Sequence, residues 1–565
     1  MVHRPPFPRA ALLALSLLSA CAAARPQEPT DAAARRPLAG ASGAFLVGRY
    51  ALARTDYGVA TDDFLKALAA DPRNAELQQQ AFGAAVLTGR PEAVALARQL
   101  PSNPAALLVL ADQDVRAGNW SGAEAKFAAL PGQGLTQVLQ PLLLAWSQQG
   151  AGETDKALAT MRPYLEGDRY RGVFELHAAM MNDQAGRTAE AARLYREAVV
   201  DYGALNLRLG TIVASWQARS GHEAEARATI RAMVAGSPDL SIAEPGLELG
   251  AGRLQVAHAS DGIAEAYLAL AATLQQQDAA DFPLLLLRLA LDLKPGFTSA
   301  RLLAADIQAA GGQIDGALVT LAPVEASDPL APVAALRQAR LAERLGHSAE
   351  AKRQLERLAA EFPERAEPLT RLAEMQAAEN RFADAAATFG RAIERVPQPG
   401  RNDWSLYYQR GTAYDRAHEW PQAEADFLRA LALSPDQPFV LNYLGYAWAE
   451  QGRNLPRARE MIERAVVLRP NEGSILDSLG WVLLQQGDQP GAIHWLERAV
   501  ELQPEDPTVN SHLGDAYSVA GRRVEAQVQW RRALILNPEP QDAAKLQAKL
   551  AGRDPAPASA ERRVE

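Results

Sequence analysis

The stretches LNYLGY at residues 441–446, ILDSLGW at residues 475–481 and HLGDAY at residues 512–517 recur at nearly constant spacing, and they decide the fold. Each belongs to a unit of about 34 residues that ends in a proline. Four consecutive units fill residues 404–540. Their glycines are Gly411, Gly445, Gly480 and Gly514, and their closing prolines are Pro435, Pro470, Pro504 and Pro538. A period of this length predicts one repeat array instead of several independent globular domains.

Small and apolar residues occupy fixed places within each unit and predict a pair of helices. Leucine, glycine and aromatic positions at helical spacing place one packing face on a first helix. Two alanines flank a large apolar residue in the second half of each unit, and together these positions predict a second helix that packs closely on the first. The proline then prevents the second helix from continuing. No strand-like alternation is present in the sequence, so the predicted fold class is all-α.

These positions resemble the tetratricopeptide repeat (TPR), a helix-turn-helix unit that stacks into a superhelical solenoid. The period recurs through most of the chain and predicts about 14 such repeats. The resemblance implies that the protein binds other proteins and is not an enzyme.

The period is strict near the C-terminus, loose near the N-terminus and interrupted once. The interruption contains Pro245-Gly246 and Gly250-Ala251-Gly252, which predict a loop or a distorted helix pair that acts as a hinge, a seam or a binding element. The predicted organisation is a signal peptide at 1–20, a lipidated cysteine with a flexible tether at 21–40, a degenerate array at 41–240, an irregular insertion at 241–263, a middle array at 264–403, well-formed repeats at 404–540, and a capping helix with a disordered tail at 541–565.

The first residues have the pattern of a secretory signal. Arg4 and Arg9 precede a short apolar run at residues 10–18, which is too short for a stable membrane span. Leu18-Ser19-Ala20-Cys21 follows and resembles the bacterial lipobox, in which the cysteine is acylated. This resemblance predicts lipidation of Cys21, and Ala22 after it favours the outer membrane. The alternative is a plain signal peptide with an incidental cysteine.

Composition argues against several other classes of protein. The single cysteine excludes an internal disulfide and a thiolate metal cluster. The net charge of −9 disfavours nucleic acid, which is bound mainly through Lys and Arg. Phosphate-binding, metalloprotease and serine-hydrolase motifs are missing from the sequence, and its eight histidines are scattered singly. We therefore predict no catalytic residue, no metal and no cofactor.

The TPR resemblance implies that the first helix of each unit lines an inner groove. Positions 2, 5, 9 and 12 of the unit then face that groove, and aromatic groups beside hydrogen-bonding groups suit a partner peptide. In the alternative interpretation, Tyr446 and Trp481 only cover neighbouring helices. The lysine-rich trap of chaperone-binding TPR proteins is not matched. The predicted groove residues are Tyr408, Thr412, Asn442, Tyr446, Asp477, Trp481, Ser511 and Asp515.

The stretches at residues 441–446, 475–481 and 512–517 also look like those of proteobacterial TPR lipoproteins. That family includes outer-membrane adaptors that bind a periplasmic carboxyl-terminal processing protease and bring it cell-wall hydrolases. The resemblance implies a membrane-held protein scaffold with such a protease as partner. An assembly or export factor for pili, polysaccharide or outer-membrane proteins would use the same groove and is the alternative. An enzyme is the weakest hypothesis.

Overall fold

The computed structural model describes residues 32–132, 136–167, 170–274 and 281–552. The predicted signal peptide, Cys21 and the tail from residue 553 lie outside these ranges. The described residues form thirty α-helices and two 3-10 helices, with no strand among them. The predicted all-α class is therefore confirmed. None of the described helices combines the length and apolar character that a membrane-crossing segment needs.

The helices of the first half vary in length, from 22 residues in α1 to 6 residues in α4. Their bounds are α1 Ala32–Ala53, α2 Tyr57–Ala70, α3 Ala75–Leu87, α4 Glu92–Ala97, α5 Pro104–Arg116, α6 Trp120–Ala128, α7 Thr136–Gly150, α8 Thr154–Leu165, α9 Arg171–Gln184, α10 Thr188–Tyr202, α11 Leu207–Arg219, α12 Glu223–Gly236 and α13 Glu244–Gly250, with a 3-10 helix at Pro238–Ala243.

The helices of the second half are more regular in length. Their bounds are α14 Ala259–Leu274, α15 Asp281–Leu293, α16 Thr298–Ala310, α17 Ile314–Leu321, α18 Ala331–Arg344, α19 Ser348–Glu361, α20 Glu367–Ala378, α21 Phe382–Glu394, α22 Trp404–Arg416, α23 Trp420–Leu433, α24 Pro438–Glu450, α25 Leu455–Leu468, α26 Gly473–Gln485, α27 Gln489–Leu502, α28 Pro507–Val519, α29 Arg523–Ile535 and α30 Pro540–Leu550, with a 3-10 helix at Arg401–Asp403.

Helices α1–α12 and α14–α29 follow the helix-turn-helix order of fourteen pairs, which confirms the predicted number of repeats for the described residues. The chain divides into two compact units. One contains the described residues through Asp114 together with Ala125–Pro131, and the other contains Val115–Glu124 and the described residues from Gly132 onward. Within the second unit, the second helix of one pair contacts the first helix of the next, as α25 contacts α26 and α27 contacts α28.

Glycine allows the two helices of a C-terminal pair to approach closely. A methyl group added to Gly480 would lie 2.5 Å from Leu496, and one added to Gly514 would lie 2.5 Å from Trp530. These distances are shorter than van der Waals contact, so a larger residue fits only if the facing side chain or its helix moves. The repeated glycine is therefore a packing requirement of the pair.

Helices in the structure occupy parts of three segments that the sequence analysis predicted. Helix α1 begins at Ala32, within the predicted tether at 21–40, since its alanine-rich sequence favours a helix. Within the predicted insertion, a 3-10 helix runs into α13, and α14 begins at Ala259, before the predicted restart at 264. Helix α30 occupies the place of the predicted capping helix.

Candidate functional site

The predicted groove residues lie on the first helices of the last four pairs, two on each of α22, α24, α26 and α28. The two residues on each helix are four positions apart, a spacing that places them on the same helical face. The eight side chains have different surroundings on the four helices.

Tyr408 and Thr412 are used largely for internal packing. The half-buried Tyr408 ring lies with its centroid 6.0 Å from those of Phe427 and Tyr443. The Thr412 hydroxyl donates to the Tyr408 carbonyl oxygen at 3.0 Å. Burial raises the pKa of Tyr408. On α22, the side chains of Tyr408 and Thr412 therefore make contacts within their own helix and with α23 and α24.

Tyr446, Asp477 and Trp481 converge on His512, a residue that the sequence did not place in the groove. The His512 ring stacks on Trp481 with centroids 4.2 Å apart, and its Nδ1 lies 2.9 Å from a carboxylate oxygen of Asp477. The Tyr446 ring centroid lies 6.1 Å from that of His512. We call these four residues the His512 cluster. The structure thus brings three predicted groove residues together around a buried imidazole.

Two opposing effects act on the pKa of His512. Burial lowers the pKa, whereas the charge of Asp477 and its hydrogen bond raise it, with Asp515 and Glu450 adding to the rise. The net pKa of His512 lies above its ordinary value. Burial, with the charges of Glu450 and Asp477 adding to it, also raises the pKa of Tyr446. The protonated imidazole is therefore stabilised as an ion pair with Asp477.

Asn442 and Trp481 have buried polar atoms without a partner. Among the described residues, neither Asn442 Oδ1 nor Trp481 Nε1 takes part in a hydrogen bond. Leaving a buried polar atom unpaired costs about 1–3 kcal/mol. One atom is an acceptor and the other is a donor, the two groups that a peptide backbone would satisfy.

Asp515 is paired with the last described helix. Its carboxylate accepts hydrogen bonds from Lys549 Nζ at 2.7 and 2.8 Å and from Trp530 Nε1 at 2.8 Å. Ser511 is half-buried one helical turn earlier on α28. The Asp515 carboxylate is thus already engaged by two donors of its own chain.

His512 and Lys549 are the residues that sequence reasoning missed. Asp477 and His512 are 35 positions apart, whereas the groove register steps by 34 and selects Ser511 instead. His512 is one position further along α28, and its side chain points back to the preceding repeat. Asp515 and Lys549 are 34 positions apart, so the same register could have found that pair.

A cavity of about 840 Å³ lies between α18, α20 and α22, where the middle array meets the C-terminal repeats. We call it the middle cavity. It is lined with charge, and some of the charges are paired, as in Arg337 with Asp306 at 2.7 Å. Its arginines are Arg337, Arg340, Arg365, Arg371 and Arg395.

In the earlier repeats, the first helices α7 and α9 are covered by a helix of the same chain, because α14 packs on both of them. A methyl group on Gly262 of α14 would lie 2.2 Å from the indole of Trp146 on α7. The indole nitrogen of Trp146 donates to His177 Nδ1 at 2.8 Å, and Gln184 Nε2 on α9 donates to the Val256 carbonyl at 3.0 Å. We call this arrangement the filled face.

The described residues contain no group of three or more histidine, cysteine or acidic side chains placed to hold a metal ion. Cys21, the predicted lipidation site, lies outside the described residues.

Family models match three segments of the chain. A model described as TPR repeat matches residues 480–521, and one described as tetratricopeptide repeat matches residues 336–398 and 408–472. No curated protein matches the chain.

Solved repeat proteins are similar to the chain at low sequence identity. The Cut9 structure from the Cut9–Hcn1 assembly is 15% identical, covering 91% of this chain and 98% of that chain with a TM-score of 0.38. A tetratricopeptide repeat protein from Parabacteroides merdae is 14% identical, covering 45% and 98% with a TM-score of 0.36. YrrB, a TPR protein described as having an unusual peptide-binding site, is 22% identical, covering 34% and 97% with a TM-score of 0.28.

Proposed function

Since the chain is an all-α solenoid of tetratricopeptide repeats, we propose that it is a non-catalytic scaffold that holds partner proteins on the first helices of its C-terminal repeats. Protein binding is the general role of such repeats. We place this binding on the face of α24, α26 and α28 that carries the His512 cluster.

The unpaired atoms of Asn442 and Trp481 carry this proposal. Other buried atoms without a partner lie elsewhere among the described residues, but these two lie on α24 and α26, the helices that also carry three residues of the His512 cluster. Both atoms are buried, so a partner segment that binds this face must move the side chains around them before it supplies a donor to Asn442 Oδ1 and an acceptor to Trp481 Nε1. Aromatic side chains beside these atoms would give the segment a surface to pack against.

The sequence supports a more specific role. We propose an outer-membrane lipoprotein that is anchored through Cys21, faces the periplasm, and binds a carboxyl-terminal processing protease together with its cell-wall hydrolase substrates. The lipobox-like Leu18-Ser19-Ala20-Cys21 supports the anchor, and the stretches at 441–446, 475–481 and 512–517 support the family of adaptors.

Affinity capture from solubilised bacterial envelopes tests the partner. Recovery of a serine protease together with its hydrolase substrates is the expected result. Recovery of secretion or polysaccharide machinery instead would overturn the adaptor role and favour an assembly or export factor.

Two single-group variants test the place of binding. Trp481→Phe keeps a ring that can stack on His512 but deletes the unpaired N–H, and we expect capture of the partner to fall. Trp420→Phe is the matched control, because it deletes an indole N–H that is likewise unpaired but lies on the second helix α23, outside this face. Equal capture by both variants would move the binding site elsewhere, with the middle cavity as the next surface to test.

Cys21→Ser tests the anchor separately. The variant should stay unprocessed or be released from the outer membrane in fractionation. Unchanged fractionation with the outer membrane would show that the lipid is not the anchor.

A further inference from the structure

Helix α1 exposes large apolar side chains on one face. Leu46 is 66% exposed, Tyr50 is 65% exposed and the adjacent Val47 is 47% exposed. Leu46 and Tyr50 are four positions apart and share a face. Such a cluster of exposed apolar groups marks an interaction surface, because scattered single groups are the norm on a protein surface.

The opposite face of α1 is fully used for packing within its own pair. Gly48 is buried, and a methyl group added to it would lie 2.8 Å from the ring of Phe64 on α2. The Phe45 ring centroid lies 6.2 Å from that of Phe64. The exposed residues are therefore a second face, separate from the one that holds α1 on α2.

Helix α1 is basic although the whole chain is acidic. Its sequence contains Arg35, Arg36 and Arg49 and no acidic residue, whereas the chain carries a net charge of −9. Arg49 and the following Arg54 are exposed, and the Arg49 guanidinium lies 3.5 Å from a carboxylate oxygen of Glu76 on α3. The Arg54 guanidinium lies 5.8 Å from the Tyr50 ring centroid, beside the apolar face. Apolar and aromatic side chains flanked by arginine are typical of helices that lie in the head-group region of a bilayer.

The position of α1 in the chain identifies the surface it would meet. Even when fully extended, the stretch from Cys21 to Ala32 spans at most about 40 Å. A chain held by a lipid on Cys21 therefore keeps α1 close to the bilayer. We propose that the face of α1 formed by Leu46, Val47 and Tyr50 docks on anionic lipid head groups. This inference rests on the proposed anchor for its proximity, but the binding chemistry belongs to α1 itself.

Vesicle flotation tests the proposal on the mature chain from Ala22 onward, produced without lipid. The probes are vesicles of phosphatidylethanolamine with phosphatidylglycerol and vesicles of phosphatidylcholine alone. We expect binding to the anionic vesicles that weakens with added salt, because arginine contacts with charged lipids are screened. Failure of the unaltered chain to float with anionic vesicles would overturn the inference.

Paired substitutions locate the contact. Leu46→Ser with Tyr50→Ser should weaken partitioning about tenfold, as loss of two inserted apolar groups predicts. The matched control is Val524→Ser with Val528→Ser, two residues of α29 that are also four positions apart and are 75% and 53% exposed. Equal loss in both pairs would contradict docking through α1.

Two further measurements keep the outcome clear. If the Leu46→Ser, Tyr50→Ser protein loses helical circular dichroism, the double variant Arg49→Gln, Arg54→Gln is used instead. This variant should bind the anionic vesicles more weakly and leave any binding to phosphatidylcholine vesicles unchanged. If sedimentation shows a dimer and the α1 substitutions convert it to a monomer, this face binds a second copy of the chain. That result would overturn the lipid proposal. The Cys21→Ser fractionation is independent, because the anchor can fail while the unlipidated chain still binds vesicles.

Discussion

Two regions use the same kind of helix face in opposite ways. On the filled face, α14 lies against α7 and α9 with eleven buried residues. In the C-terminal repeats, α30 follows the last pair with a single buried residue, Leu546. The first region has used its face to bind its own chain, whereas in the second the helix that follows the last pair buries little of itself. How much of a repeat's face is buried by its own chain therefore depends on which helix packs against it.

The tryptophans of the two regions give the largest expected contrast. Trp146 is fully buried, so Trp146→Ala should lower the free energy of unfolding by about 3–5 kcal/mol. Trp481 is only half-buried, and Trp481→Ala should cost about 1–2 kcal/mol. Urea denaturation followed by circular dichroism measures both. Equal losses would show that the C-terminal face is packed as tightly as the filled face.

A small change at the contact of α14 with α7 should have the next largest effect. Gly262→Ala places a methyl group against Trp146, and we expect a loss of about 1–3 kcal/mol from overpacking. Gly252→Ala is the control, because no described atom lies within 4 Å of the added methyl group. A Gly262→Ala protein as stable as this control would mean that α14 is not held against Trp146.

The two buried histidines should respond to pH in opposite directions. Burial lowers the pKa of His177 to about 3, so its stabilising contribution is lost as the pH falls from about 6.5 towards 3. His512 has a raised pKa in the folded chain, so its contribution is present below the ordinary histidine pKa and is lost as the pH rises through the raised value. The groups that face His512 are Asp477 on α26, Tyr446 and Glu450 on α24, and Asp515 on its own helix.

Hydrogen exchange at a series of pH values can separate these effects by region. We expect protection of α9 to weaken in acid and protection of α28 to weaken in mild alkali. His512→Gln should abolish the second effect and leave the first. Persistence of the alkaline effect in that variant would assign it to another group.

The smallest expected effect concerns the attachment of α30. Lys549→Ala removes a mostly buried partner of Asp515 and should cost about 1 kcal/mol. Lys545→Ala removes an exposed pair with Asp542 on the same helix and should cost roughly 0–0.5 kcal/mol. Denaturation midpoints of the two variants measure the difference. Identical midpoints would show that Lys549 does not hold α30 on the last pair.

The sequence predicted the repeated helix pairs because their contacts are local in the repeat. Gly480 packs on Leu496 and Gly514 packs on Trp530 within one unit, and the constant spacing of these residues is visible in a single chain. The assignment of Tyr446, Asp477 and Trp481 to one face was also possible, because a regular helix and a fixed register place them there. Whether that face binds a partner stays a prediction.

Other features could not be read from the repeat. The contact of Trp146 with Gly262 joins α7 to α14, which are not neighbouring repeats, and the path of residues 251–258 sets it. No fixed period encodes such a contact. The sequence did not identify His512 as a groove residue, because it lies one position beyond the groove register and its side chain faces the preceding repeat. The middle cavity was missed because its charged lining residues come from several helices and from the segments that connect them, which the register of one helix face does not select.

The contact of α14 with α7 also bears on how the protein responds to force. An array with only neighbour contacts extends one repeat at a time when its ends are pulled apart. Here the contact closes the chain between Trp146 and Gly262 into one long loop, so the repeats inside it should resist until that contact breaks and then extend together. The repeats after α22 lack such a closure among their described contacts and should yield singly from the end at α30. The repeats between Trp146 and Gly262 should then resist extension more than the repeats after α22.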